Sequence, residues 1–381
     1  MGSNSQGTHK PSRPSIVLDA MHGMADPPAD RVIAGLIGSG GVPQANAALS
    51  HMLRNMDAPG VDAPPVLEAF LGEWAALPVW ADTEKIRRAQ NLFTSQGPFF
   101  GLVLMASSLP VLYCGGKGGA QVLYGTGQLS GHFRRRASQT LRFILDVMEP
   151  GGLEPMGRGI RAIQKVRLMH AAIRYYTRSG PLWVGKEAEW GAPINQVELS
   201  GTLIAFSWLA LDGLRKLEID VSPEDQECYL HAWKAIGHVL GIQPEMLPEN
   251  VADAENLWAD IQARNFIASK EGRALALDHN DFLKSLMPGK DLDGIPDSLM
   301  YFLMGHRLAR GNLKLPYPGW TFFLVAFLRW ISGLQSRLVL SSTTLRAVTS
   351  LAGQVLMESL YKSWNAGDGT PFRIPSAMTK A

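Results

Sequence analysis

A chain of 381 residues with 46% hydrophobic and 18% charged residues has the composition of a large apolar interior with few surface charges, and its length alone allows two domains. Lys and Arg number 36 against 34 Asp and Glu, so no excess of positive charge is available to neutralise a phosphate backbone, and nucleic acid is set aside as a partner. The two cysteines, Cys114 and Cys228, are too few for a zinc site or a disulfide scaffold, although a single bridge between them stays open.

The chain begins MGSNSQGTHKPSRPS, polar and rich in Gly, Ser and Pro, without the apolar run of a signal peptide. It reads as a disordered tail over residues 1–25, followed by one helical domain over 26–381. From Ala29 onwards apolar residues recur at spacings of three and four, which predicts an all-α fold. Helices are expected near 29–38, 43–55, 65–76, 82–94, 98–113, 123–149, 155–178, 195–217, 222–241, 250–268, 273–287, 296–310, 319–337 and 341–364. Two starts carry clear caps: Asp82-Thr-Glu-Lys, and Ser222-Pro-Glu-Asp with Pro223 at the favoured first position. The apolar run from Pro98 to Cys114 is broken by Ser107, Ser108 and Pro110 before it could span a bilayer, so it is expected to be a buried helix and no transmembrane segment is expected. The shorter apolar run from Trp320 to Trp330 is expected in the core, with a greasy surface patch as the alternative.

Three segments carry candidate chemistry. In GHFRRRASQT, Arg136 can share a helix face with Gln139 and Thr140, either as part of a solvated charge run or as a polar wall over a cofactor. In GRGIRAIQKVRLMHAAIRYYTR, Arg167, His170 and Arg174 fall on one side of a helix. A haem buried against that helix would need one imidazole for iron and cations for its propionates; a basic amphipathic helix with solvated arginines reads equally well. In GAPINQVELSGTLIAFSW, Ser200, Gly201 and Thr202 are expected on a buried helix, where the hydroxyls bond back to their own backbone or Gly201 admits a haem edge or a packed helix. His231 and His238, seven apart, could pair on a metal only without the usual carboxylate.

The phrases RAIQKVRLMHAAIR and INQVELSGTLIAFSWLALDGL resemble the central region of latex clearing proteins, rubber oxygenases within a wider family of haem-binding oxygenases, over roughly Gly115 to Leu217. The resemblance implies a globin-like helical core holding haem b, with additional helices around it. Position by position it makes His170 the proximal iron ligand, with Arg167 and Arg174 near the haem, and places Arg136, Thr140 and Thr202 in the haem pocket. Gln139 stands where characterised members carry a distal lysine, and GGKGGAQVLYG has no carboxylate where the family places an acidic base. The implied reaction is oxidative cleavage of C=C bonds in poly(cis-1,4-isoprene), with dioxygen as co-substrate and aldehyde and ketone ends as products. Two alternatives are a related haem oxygenase acting on a smaller isoprenoid or unsaturated lipid, and an oxygen-binding sensor or carrier without turnover. Secretion follows from the resemblance alone, a cytoplasmic home stays open, and monomer and dimer are equally compatible with the sequence.

Overall fold

The computed structural model describes residues 13–54, 64–126, 133–287 and 289–340, together with 358, 359 and 362. Sixteen α-helices run through them: α1 Ser15–Gly23, α2 Pro27–Arg54, α3 Pro65–Glu73, α4 Thr83–Val103, α5 Leu109–Leu112, α6 Gly119–Gly125, α7 Phe133–Met148, α8 Arg158–Ser179, α9 Glu187–Trp190, α10 Gln196–Phe206, α11 Trp208–Lys216, α12 Pro223–Val239, α13 Val251–Asn265, α14 Lys270–Ser285, α15 Gly294–Met304 and α16 Phe322–Leu340. The only β pairing among the described residues is an isolated bridge between Gly115 and Ile267. The all-α expectation therefore holds.

The two expected caps are in place. Asp82 accepts from the N–H groups of Glu84 and Lys85, and Ser222 accepts from that of Asp225, each satisfying donors that a helix start otherwise leaves open. Between α4 and α5 the chain passes through a π-helical turn, Leu104–Ser108, which widens the helix just before Pro110 and carries it past a residue that cannot donate a backbone bond. The stretches Thr83–Leu112 and Gln196–Lys216 are long and apolar enough to cross a membrane, yet 50% and 78% of their apolar windows are buried inside the protein, so here they build the core.

Two expectations are corrected. Residues 15–23, placed in a disordered tail, form α1, which buries Leu18, Met21 and His22. Trp320, Phe323, Phe327 and Trp330, expected in the core, are all exposed. Their spacing puts them on one face of the segment, while Thr321 and Val325 on the opposite face are the residues buried. The helix expected over 341–364 lies almost wholly outside the described residues.

Helix α8 sits between two apolar clusters. Leu168, Ala171, Ala172 and Tyr176 pack with Ala29, Val32 and Ile33 of α2 and with Leu67 and Phe70 of α3. On its other side Ile160 and Ile163 join the main core, which also takes Ile144 and Val147 of α7. Two ion pairs, one fully buried and one half-buried, fasten α8 to the start of α2. Arg167 is bidentate to Asp26 at 2.7 and 2.9 Å, and Arg174 reaches Asp30 at 2.7 Å.

A glycine joint fixes how α7 meets α8. A Cβ at Gly159 would lie 2.7 Å from the Asp146 carbonyl oxygen and 2.9 Å from the Val147 Cα, so only glycine permits this backbone approach. The two helices leave the joint antiparallel. Arg136 lies eleven residues before Val147 and His170 eleven residues after Gly159, so the register brings them opposite each other, about 16 Å from the joint at 1.5 Å per residue.

Candidate active site

His170 of α8 and Arg136 of α7 lie close enough for the Arg136 cation to act on the imidazole. Both side chains are half-buried. Burial pushes the His170 imidazole down to about 3, and the cations of Arg174 and Arg136 add to the effect. The ring is therefore neutral across the physiological range, the form in which imidazole can ligate a metal. No hydrogen bond joins it to any described residue.

The two cations beside it have donors to spare. Arg174 is almost fully buried, bonded to Asp30 and to the Ile194 carbonyl, but its Nη2 is buried without a partner. Arg136 makes no hydrogen bond or ion pair among the described residues, and burial lowers its pKa. Unpartnered buried donors of this kind are costly unless an anion meets them. An unbonded imidazole flanked by two such guanidiniums fits a haem, one ring for the iron and two cations for the propionates.

Beyond Arg136 lies a second polar group that the sequence did not single out. His279 of α14 is fully buried, its Nδ1 3.2 Å from the Tyr113 hydroxyl and its ring 4.5 Å from that of Phe133. Burial first and Arg136 second hold His279 at about 3, and burial raises Tyr113 to about 12, so both stay neutral. Arg136 is thus a cation with neutral groups on two sides.

The other expected site residues divide. Thr140, one turn on from Arg136, is half-buried, whereas Gln139 is exposed. Arg167 is fully committed elsewhere: Asp26 and the Val239 carbonyl take its donors, and its guanidinium lies 3.9 Å from the Trp74 ring centroid. Thr202 donates to the Glu198 carbonyl at 2.8 Å, and Ser200 donates to that of Met246 at 2.6 Å. At Gly201 an added Cβ would meet Ile261 of α13 at 3.3 Å, so a packed helix explains that glycine. His231 accepts from the Asp82 N–H, and Cys114 and Cys228 are both buried free thiols.

One further group stands out. Glu198, at the third position of α10, closes a reciprocal cap: Asn195 accepts from the Glu198 N–H, and Glu198 Oε2 accepts from the Asn195 N–H. Its Oε1 is buried without a partner, and burial raises the carboxyl to about 8 against the pull of the Asn195 and Ile194 N–H groups. A sequence of the form N-x-x-E reads as a solvated cap, which is why this residue escaped notice.

Comparison with known proteins gives the family and the fold. Residues 94–378 match the family described as ER-bound oxygenase mpaB/B'/Rubber oxygenase, catalytic domain. The rubber oxygenase of Streptomyces sp. (strain K30) is 28% identical over 234 residues, 58% of this chain. The chain spans about half the length of that curated relative, 54%. A solved structure, latex clearing protein LCP in the closed state, aligns with a TM-score of 0.71 over 93% of this chain and 94% of that one; at 20% identity the likeness establishes the fold.

Proposed function

This chain belongs to the mpaB/B' and rubber oxygenase family, matched through its catalytic domain, and on that premise we propose that it is a haem-dependent oxygenase acting on the C=C bonds of an isoprenoid-type substrate. The observation that carries the reading is the neutral, unbonded His170 imidazole with the Arg174 and Arg136 cations beside it.

In this reading His170 would ligate the haem iron, and Arg174 Nη2 and the Arg136 guanidinium would pair with the propionates. A haem so bound supplies dioxygen chemistry that no side chain can perform. The protein's part is to bind, orient and keep the site dry. Arg167 acts at one remove, because its pair with Asp26 fixes the rotation of α8 and hence where His170 points. An isoprenoid chain offers no polar handle, so its affinity rests on apolar burial, about 0.8 kcal/mol per methylene. Poly(cis-1,4-isoprene) is the substrate we favour, cleaved to fragments with aldehyde and ketone ends; the named relative is itself a rubber oxygenase.

The test is optical. The purified protein, as isolated or reconstituted, should give a Soret band that moves on dithionite reduction and again with imidazole, and His170→Ala should lose haem and oxygen consumption together. Folded wild-type protein without a Soret band after reconstitution refutes the haem assignment, and a His170→Ala protein with full haem content refutes the ligand. Oxygen uptake with latex against small terpenoid alkenes then separates the polymer from a smaller substrate, and stable oxygen binding without consumption would leave a carrier.

A further inference from the structure

The segment that leads into and forms α16 presents an apolar face that the oxygenase reading leaves unused. Trp320, Phe323, Phe327 and Trp330 are 59%, 78%, 56% and 62% exposed, and Tyr317, at 73%, extends the row by one step. Single exposed apolar residues are ordinary, but a contiguous aromatic row marks a surface that meets something. The helix is held from its other side. Val325 belongs to the core, Leu328 packs against it, and the Thr321 and Ser298 hydroxyls lie 2.8 Å apart, which fixes the start of α16 on α15. On the exposed side Phe327 and Trp330 stack on each other, their centroids 6.0 Å apart.

The charge pattern narrows what that surface meets. From Ser298 to Met357 the sequence holds no Asp or Glu, yet it holds Arg307, Arg310, Lys314, Arg329, Arg337 and Arg346, in a chain whose 36 basic and 34 acidic residues nearly balance. Arg307, Arg310 and Lys314 are exposed, and none of them pairs with a carboxylate among the described residues. Arg310 donates to the Leu315 carbonyl, which also accepts from the Tyr301 hydroxyl, and the Tyr301 ring lies 5.7 Å from that of Tyr317. Arg310, with Lys314 three residues before Tyr317, therefore borders the aromatic row at its Tyr317 end. Two carboxylates that pack near the segment are already taken: Glu218 pairs with Arg329 at 2.7 Å, and Asp297 with Lys284 at 3.0 Å.

We propose that this face is a docking surface for the headgroup layer of an anionic phospholipid bilayer, on which the protein lies without spanning it. The proposal is independent of the oxygenase reading. Tryptophan and tyrosine rings favour the headgroup level, where one part of the ring meets apolar chains and another meets water. The phenylalanines add apolar area beneath that level, and the unpaired cations meet the lipid phosphates. A helix lying flat with its aromatic side down is the arrangement α16 offers, because its other side already belongs to the core. A second copy seated on the same face by two-fold symmetry would bring Arg307, Arg310 and Lys314 up to an equally basic patch with no free carboxylate to receive them, so like charges oppose that occupant. A neutral hydrocarbon surface would leave the same cations without a counter-charge.

Flotation of the purified full chain with lipid vesicles tests this. Wild type should float with vesicles of equal parts phosphatidylglycerol and phosphatidylcholine, bind phosphatidylcholine alone far more weakly, and come off the anionic vesicles as salt screens the cations. Phe323→Ser combined with Phe327→Ser should abolish binding to both. Arg307→Gln combined with Lys314→Gln should weaken binding to anionic vesicles alone, by on the order of 25-fold at about five-fold for each cation near the surface. All four side chains are exposed, so both variants should keep the wild-type helix content by circular dichroism. Wild-type protein that stays unbound with anionic vesicles, or that binds the two kinds of vesicle alike, overturns the proposal. An aromatic variant that floats as wild type does overturns it as well. A wild-type dimer in sedimentation that the same aromatic variant turns into a monomer, with no flotation by either, assigns the face to a second copy and overturns the lipid reading.

Discussion

Removing the Asp26 carboxylate should destabilise the protein by about 3–5 kcal/mol, the cost of leaving a buried charge unpaired. The structure gives the reason for so large an effect. Both partners are only 2% exposed, and two charge-assisted bonds of 2.7 and 2.9 Å link them. Bonds of that kind contribute about 1.5–3 kcal/mol each, which reaches the same range by a separate route. After Asp26→Ala the guanidinium keeps only the Val239 carbonyl and the faces of Trp74 and Phe70, and Gly241 already crowds it: a Cβ there would lie 2.6 Å from Nε. It has no route to water. Urea denaturation of Asp26→Ala, Arg167→Met and the double variant measures this directly. The double variant should recover much of the loss, because it removes the stranded charge as well as its partner. An Asp26→Ala protein within 1 kcal/mol of wild type would refute the argument, and with it the structural role given to Arg167.

Two further outcomes concern stability. Gly213→Ala should cost about 1–3 kcal/mol by overpacking, since the new Cβ would fall 2.2 Å from Val103 Cγ1, and a compensating Val103→Ala should return part of it; chemical denaturation of the pair decides. The Glu198 carboxyl titrates near 8 in the folded chain against about 4.5 in the unfolded one. Between those values the folded chain holds the extra proton, so stability falls as pH rises through the window, by on the order of 1.4 kcal/mol for each unit of pKa shift. Glu198→Gln should therefore gain on wild type steadily from about pH 5 to about pH 8, and a stability difference independent of pH would refute the buried acid.

Much of this was legible in the sequence because it is local. Helical period, two N-caps and the placing of His170 and Arg174 on one face depend on residues within a few positions of each other. The rest depends on distant partners. Arg167 looked equivalent to Arg174 in spacing, but Asp26, 141 residues away, claims it. Gln139 and Arg136 belong to one helix, yet Gln139 is exposed while Arg136 is half-buried and acts on His170, a difference set by how α7 packs on its neighbours. Trp320, Phe323, Phe327 and Trp330 form as apolar a run as any core helix, and no local rule distinguishes a face that is buried from one that is exposed. Glu198 was hidden by its own good local chemistry, since a satisfied cap gave no reason to look further.

The glycine joint between α7 and α8 has a mechanical meaning. Two rigid rods pinned at one end amplify any change at the pin, so a small opening at Gly159 becomes a larger displacement at Arg136 and His170, some eleven residues along each arm. The spacing of Arg136 and His170 therefore follows from the close backbone approach at Gly159 as well as from the side chains packed between the two helices. A side chain introduced at Gly159 would thus be felt at Arg136 and His170, about three turns away, without touching either.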